Sequence, residues 1–235
     1  MSNTSRVKDI LRLSKSPIAI GFFDVAPNNL KQWSAGQVPA GCTFWQKAMD
    51  GESFYTVPSD HYNCAVGSYT HKIDLPPDRG NQLEQTVGFM VESGYLSMSE
   101  VPGIPTLNKT PNFIAYAPAD KAEFKPDVVI VAANPAQAML LYEAALKAGA
   151  GNALTNVLGR PGCAVLPLTM STGRASLSFG CKGNRTFTGL PDEEMYVCVT
   201  GDKWPAVADK IIEAYEANAK MEKHYLEHKA QFAQV

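Results

Sequence analysis

No apolar block of signal-peptide length opens this chain, and no later run is long enough to span a bilayer. A cytoplasmic chain without a membrane segment is therefore expected. No sign of charge dominates either, because 21 Lys and Arg face 23 Asp and Glu for a formal net charge of −2. Such a chain has no global field to concentrate a polyanion, so neither nucleic acid nor a membrane surface is expected as a partner. No C-x-x-C pair occurs, which excludes zinc ribbons and ferredoxin-type cysteine runs. The phosphate loop with Walker spacing and the G-x-S-x-G elbow are missing too. Gly149-Ala150-Gly151 follows a helical segment and lacks the third glycine of a dinucleotide fingerprint, so it reads as a helix stop.

What the chain does have is a globular balance. Over 235 residues, 45% are apolar and 19% charged, enough to bury a substantial core. One domain over residues 1–235 is the expectation.

The pattern of apolar residues predicts an α+β fold of mixed layers. Thr4 and Ser5 cap a first helix that stops before Pro17, and residues 17–23 read as a buried strand. Residues 42–49 fit helical turns, 53–57 a short strand, 60–71 an irregular stretch, and 81–91 a helix stopped by Gly94. The second half reads as an internal duplication of a hairpin-plus-helix unit. In one copy, strands at 113–117 and 128–132 lead through Asn134-Pro135 into a helix ending at Lys147. In the other, strands at 175–179 and 195–199, joined by a connector over 180–192, lead into a long helix over 205–232. Residues 163–166 read as an additional strand. The C-terminal helix carries an apolar seam at Val207, Ile211, Ala214, Met221, Tyr225 and Phe232, which fits either a projecting helix or one at a homo-oligomer interface.

The chemistry centres on cysteine. Five cysteines is an odd number, and in a reducing compartment the reading moves from disulfides to metal ligands, reactive thiols or core packing. Cys42 follows Gly41, Cys64 precedes Gly67, Cys163 follows Pro161-Gly162, and Cys181 sits between Gly180 and Lys182-Gly183. Glycine beside cysteine permits close backbone approach, which helps thiolates converge and lets N–H groups point at sulfur. Cys198, inside an apolar strand, reads as a core residue. Lys182 and Arg185 flank Cys181, where cations favour the thiolate. His61 and His71 bracket Cys64 and offer an imidazole as a ligand or base.

Asp60-His61 with Cys64 and Gly67, and Leu177-Ser178-Phe179-Gly180-Cys181-Lys182-Gly183-Asn184-Arg185 followed by Asp192-Glu193-Glu194-Met195, resemble the DUF169 family. That is an uncharacterised bacterial and archaeal family, and the resemblance runs from Ile18 through Ala214. It implies that Cys42, Cys64, Cys163 and Cys181 occupy recurrent cysteine positions, which favours a shared site over scattered packing thiols.

Three readings follow. In the leading one, the four cysteines hold an iron-sulfur cluster or another soft metal, with His61, Lys182 and Arg185 around it and a redox partner or small molecule to serve. In the second, the chain is a small-molecule-binding module or thiol enzyme using Cys181 or Cys64. In the third, it is a structural or interaction protein built on the last helix.

Overall fold

The computed structural model describes residues 3–151, 157–158 and 160–232. In chain order the elements are α1 (Asn3–Leu11), β1 (Ile18–Phe23), β2 (Lys31–Gln32), α2 (Cys42–Met49), β3 (Phe54–Thr56), α3 (Ala65–Thr70) and α4 (Gln82–Glu92). They continue with β4 (Phe113–Pro118), β5 (Val128–Ala133), α5 (Pro135–Lys147), β6 (Val157–Leu158), α6 (Val165–Thr172), β7 (Ser176–Ser178), α7 (Lys182–Thr188), β8 (Met195–Thr200) and α8 (Trp204–Phe232). Among these residues no helix is long and apolar enough to cross a membrane.

The strands form one mixed sheet in the order β2-β3-β4-β1-β5-β8-β7-β6. Its central strands are apolar on both faces because helices cover both. On β5, Val128, Ile130 and Ala132 point to one side, and Val129, Val131 and Ala133 to the other. The second face packs against α1, α5 and α8 through Val7, Leu141, Ala145, Val207 and Ile211. The first face carries α2 and α6, through Phe44, Trp45, Val165 and Leu166, and it is on this side that the cysteine-bearing turns gather.

The α+β class and the long last helix are as the patterning predicts. The α5 start is a capping box: the Asn134 side chain accepts from the Gln137 N–H at 2.9 Å, and the Gln137 side chain accepts from the Asn134 N–H at 2.9 Å. Three local expectations are corrected. Residues 163–166 are not a strand but a 3-10 turn over Gly162–Ala164 running into α6. Pro167 falls in the first turn of α6, where a missing N–H costs nothing, whereas it would interrupt a central strand. The connector over 180–192 contains α7, stopped by Gly189 at φ 67° in the left-handed region. The stretch over 60–71 is ordered as a 3-10 turn ending at His61, then α3.

The second hairpin-plus-helix unit forms as read, with β7 and β8 antiparallel neighbours. In the first unit β1 lies between β4 and β5 and pairs antiparallel with both. Strand order in a sheet is a non-local property, so adjacency in sequence did not reveal the inserted strand.

Candidate functional site

Four turns on one side of the sheet bring Cys42, Cys64, Cys163 and Cys181 to the wall of a single cavity of about 500 Å³. Each is set by a local backbone device. Cys42 opens α2 directly after Gly41, and Cys64 precedes α3. Cys163 lies in the 3-10 turn before α6. Cys181 caps α7, its Sγ accepting from the Asn184 N–H at 3.4 Å. Close approach requires glycine here. A Cβ on Gly67 would stand 2.7 Å from Cys64 Sγ, and one on Gly162 would stand 3.2 Å from the Cys181 nitrogen.

Burial holds the Cys42, Cys64 and Cys163 thiols protonated, and neighbouring cysteines add to the effect. Burial pushes Cys42 up to about 12, partly offset by a hydrogen bond from the Asn184 side chain and reinforced by the charges of Cys64 and Cys181. Burial also raises Cys64, against the pull of the Gly41 and Gly67 N–H groups. Cys163 is raised well above the ordinary thiol value by burial and then by Cys64, although the Thr70 hydroxyl donates to its Sγ at 3.3 Å. Like charges this close oppose ionisation, so Cys42, Cys64 and Cys163 would not ionise together without a compensating charge. Cys198 stands apart, fully buried within β8.

Two further polar side chains on the cavity wall carry buried atoms without a hydrogen-bond partner. Asn184 is buried, donates through Nδ2 to the Tyr196 hydroxyl at 3.1 Å, and leaves Oδ1 unsatisfied. His71 is buried with neither ring nitrogen at hydrogen-bond geometry, though the nearby Gly67 carbonyl favours its protonated form. Burial lowers His71 to about 4. An unsatisfied buried polar atom costs about 1–3 kcal/mol, so these three atoms weigh against the stability of the wall.

The other candidates take different places. His61 lies behind the wall, its Nε2 2.8 Å from the Thr56 hydroxyl and its ring 4.9 Å from that of Phe44. Burial, then the charge of His71, lowers it to about 3, so it stays neutral. Arg185 faces the backbone of its own hairpin, donating to the carbonyls of Pro191 and Phe179 at 2.6 Å and of Glu194 at 2.9 Å. It fastens the Cys181 turn and does not reach into the cavity. Lys182 lines an adjacent apolar cavity. Among the described residues, no group of three or more His, Cys, Asp or Glu side chains is arranged to hold a single metal ion.

Asn184 and His71 are the parts of the site that sequence spacing left least defined. A signal existed for Asn184, three residues after Cys181, where a capping side chain meets the backbone. None existed for the loss of partners at His71, which depends on tertiary burial.

Residues 6–210 match the family model for DUF169, described as Uncharacterised ArCR. An uncharacterized protein of Methanocaldococcus jannaschii is 27% identical over 158 residues, covering 65% of this chain and 67% of that protein. No solved structure matches the chain. The match across most of the sequence, including the turns that carry all four cavity cysteines, makes this chain a member of the DUF169 family.

Proposed function

We propose that this protein binds a cofactor through Cys42, Cys64, Cys163 and Cys181, and that the cofactor is an iron-sulfur cluster or another soft-metal centre with a redox role. The observation that carries the reading is the convergence of four sequence-distant cysteines on one cavity, with the fifth excluded from it. Thiolates are the natural ligands of such centres, and backbone N–H groups of Gly41, Gly67 and Asn184 directed at sulfur are what tune them. A single zinc ion needs its sulfurs about 2.3 Å from one point. A cavity of about 500 Å³ leaves room for a polynuclear centre. Such a centre, when bound, supplies one-electron chemistry. The residues themselves bind it, exclude water and release their thiol protons on loading.

A cytoplasmic, reducing location belongs to the same reading, since it keeps the thiols free to ligate. So does a second copy of this chain on the outer half of α8, where Met221, Tyr225 and Leu226 are exposed.

Anaerobic purification followed by iron, sulfide and zinc quantification tests the reading. Near-stoichiometric metal that falls on Cys181→Ser and Cys64→Ser, and persists on Cys198→Ser, is expected. A colourless, metal-free protein that takes up no iron on reconstitution would overturn it.

The reading as a thiol enzyme is favoured by one observation: Cys181 also lines the adjacent apolar cavity. Selective alkylation of Cys181 in metal-free protein, together with no metal uptake, would move the assignment there.

A further inference from the structure

Beside the cysteine cavity lies a second one of about 350 Å³. It is built where α4 crosses the protein without joining the core, as no residue of this 11-residue helix is buried. Leu83, Val87 and Met90 of α4, with Leu96 and Ile104 from the following segment, give it an apolar wall. An apolar helix face turned toward a cavity leaves hydrocarbon in contact with water, a cost that an apolar occupant removes.

The charge on the wall has one sign. Its charged side chains are Arg160 and Lys182, and no carboxylate lines it. Arg160 lies 5.1 Å over the Tyr95 ring and reaches Glu100, outside the wall, at 3.2 Å. Lys182 has no ion-pair partner among the described residues. The Lys182 N–H donates to the Tyr95 hydroxyl at 3.1 Å, which fixes the start of α7 against the segment after α4. The two cavities share Val66, Thr86, Pro161, Cys181 and Gly183, so Cys181 stands at their junction.

We infer that this second cavity binds an apolar anion, a monocarboxylate with a hydrocarbon or aromatic body, beside the cysteine centre. The body covers the α4 wall and the carboxylate pairs with Lys182, with Arg160 as the second cation. Volume and composition suit this, because small-molecule sites are typically about 300–1,000 Å³ and apolar with a few convergent polar groups. A neutral hydrocarbon would cover the wall without using either cation, and a cation would be repelled. The inference deepens the cofactor reading by naming the substrate class at its edge, yet the binding event itself stands on this wall alone.

The test is calorimetric titration of the full chain, metal-free and reconstituted, with decanoate, decanol and decyltrimethylammonium. Decanoate should bind about tenfold more tightly than decanol, as a charge-assisted contact implies, and the ammonium compound should not bind. Lys182→Gln, at an exposed position, should weaken decanoate about tenfold and leave decanol unchanged. Met90→Glu should abolish decanoate binding, with circular dichroism reporting that the fold is retained. Equal affinity for decanoate and decanol, no effect of Lys182→Gln, or no binding at all would overturn the inference. Metal content measured on the same samples separates the two claims: metal uptake without carboxylate binding defeats this inference only, and carboxylate binding without metal uptake defeats the cofactor reading only.

Discussion

Replacing His71 with Phe should make the metal-free protein more resistant to acid. His71 is buried, both ring nitrogens lack partners, and its pKa is lowered from 6.5 to about 4 by burial. A depressed histidine stabilises the fold above its unfolded pKa, and that stability is lost as pH falls from 6.5 toward 4. At pH 5 the unfolded chain is almost fully protonated at this site and the folded one is not, which costs about 2 kcal/mol. With a urea slope of about 2 kcal/mol/M, the wild-type midpoint drops by about 1 M between pH 7.5 and pH 5 on this account alone. The Phe variant keeps the contact with the Phe22 ring, 5.7 Å away, and carries no titrating group. It should therefore lose about 1 M less than wild type over the same pH interval. At pH 7.5 it should be neutral or slightly stabilised, because an unpaired polar group has been removed. Urea unfolding at the two pH values decides the matter. Identical pH dependence of the two proteins, or an NMR titration of the His71 ring near 6.5, would refute the reasoning.

Gly67→Ala places a Cβ 2.7 Å from Cys64 Sγ, so it should displace that sulfur and cut metal uptake, at a packing cost of about 1–3 kcal/mol. Gly183→Ala, whose Cβ meets nothing within 4 Å, should keep both stability and metal, and elemental analysis of the pair checks the contrast. Arg185→Ala removes the clamp on three carbonyls and should lower stability by about 2 kcal/mol, seen calorimetrically as a Tm lower by about 4–8 °C. Because burial raises the Cys42, Cys64 and Cys163 thiols, metal uptake must displace protons, and its affinity should rise from pH 7 to pH 9. Titration in buffers of different ionisation enthalpy counts those protons, and a pH-independent affinity would sink the ligand assignment. The same raised thiols make stability fall as pH climbs from the unfolded thiol range toward the folded values, which alkaline unfolding curves report.

Much of the architecture was legible where local chemistry and burial agree. The run Val128–Ala133, the Asn134 cap, Pro135 and the helix to Lys147 lie where the pattern put them, because cap, first-turn proline and apolar spacing all favour one outcome. The glycines beside Cys42, Cys64, Cys163 and Cys181 marked the turns that meet at the cavity. What local pattern missed depends on distant partners. The insertion of β1 between β4 and β5 follows from sheet assembly. The helical start at Cys163 was masked by a short apolar run, which periodicity cannot tell from a buried strand, and Pro167 was the overlooked clue. Arg185 reads in sequence as a cation beside Cys181, yet its guanidinium is held by carbonyls on the far side of the turn.

The central claim is that four cysteines jointly ligate one centre, and iron-edge X-ray absorption on anaerobically reconstituted protein tests it most directly. The account predicts irons ligated by sulfur alone with a neighbouring iron in range, and loss of that signal in Cys42→Ser, Cys64→Ser, Cys163→Ser and Cys181→Ser. Iron surrounded by oxygen and nitrogen, unchanged in those variants, would contradict it.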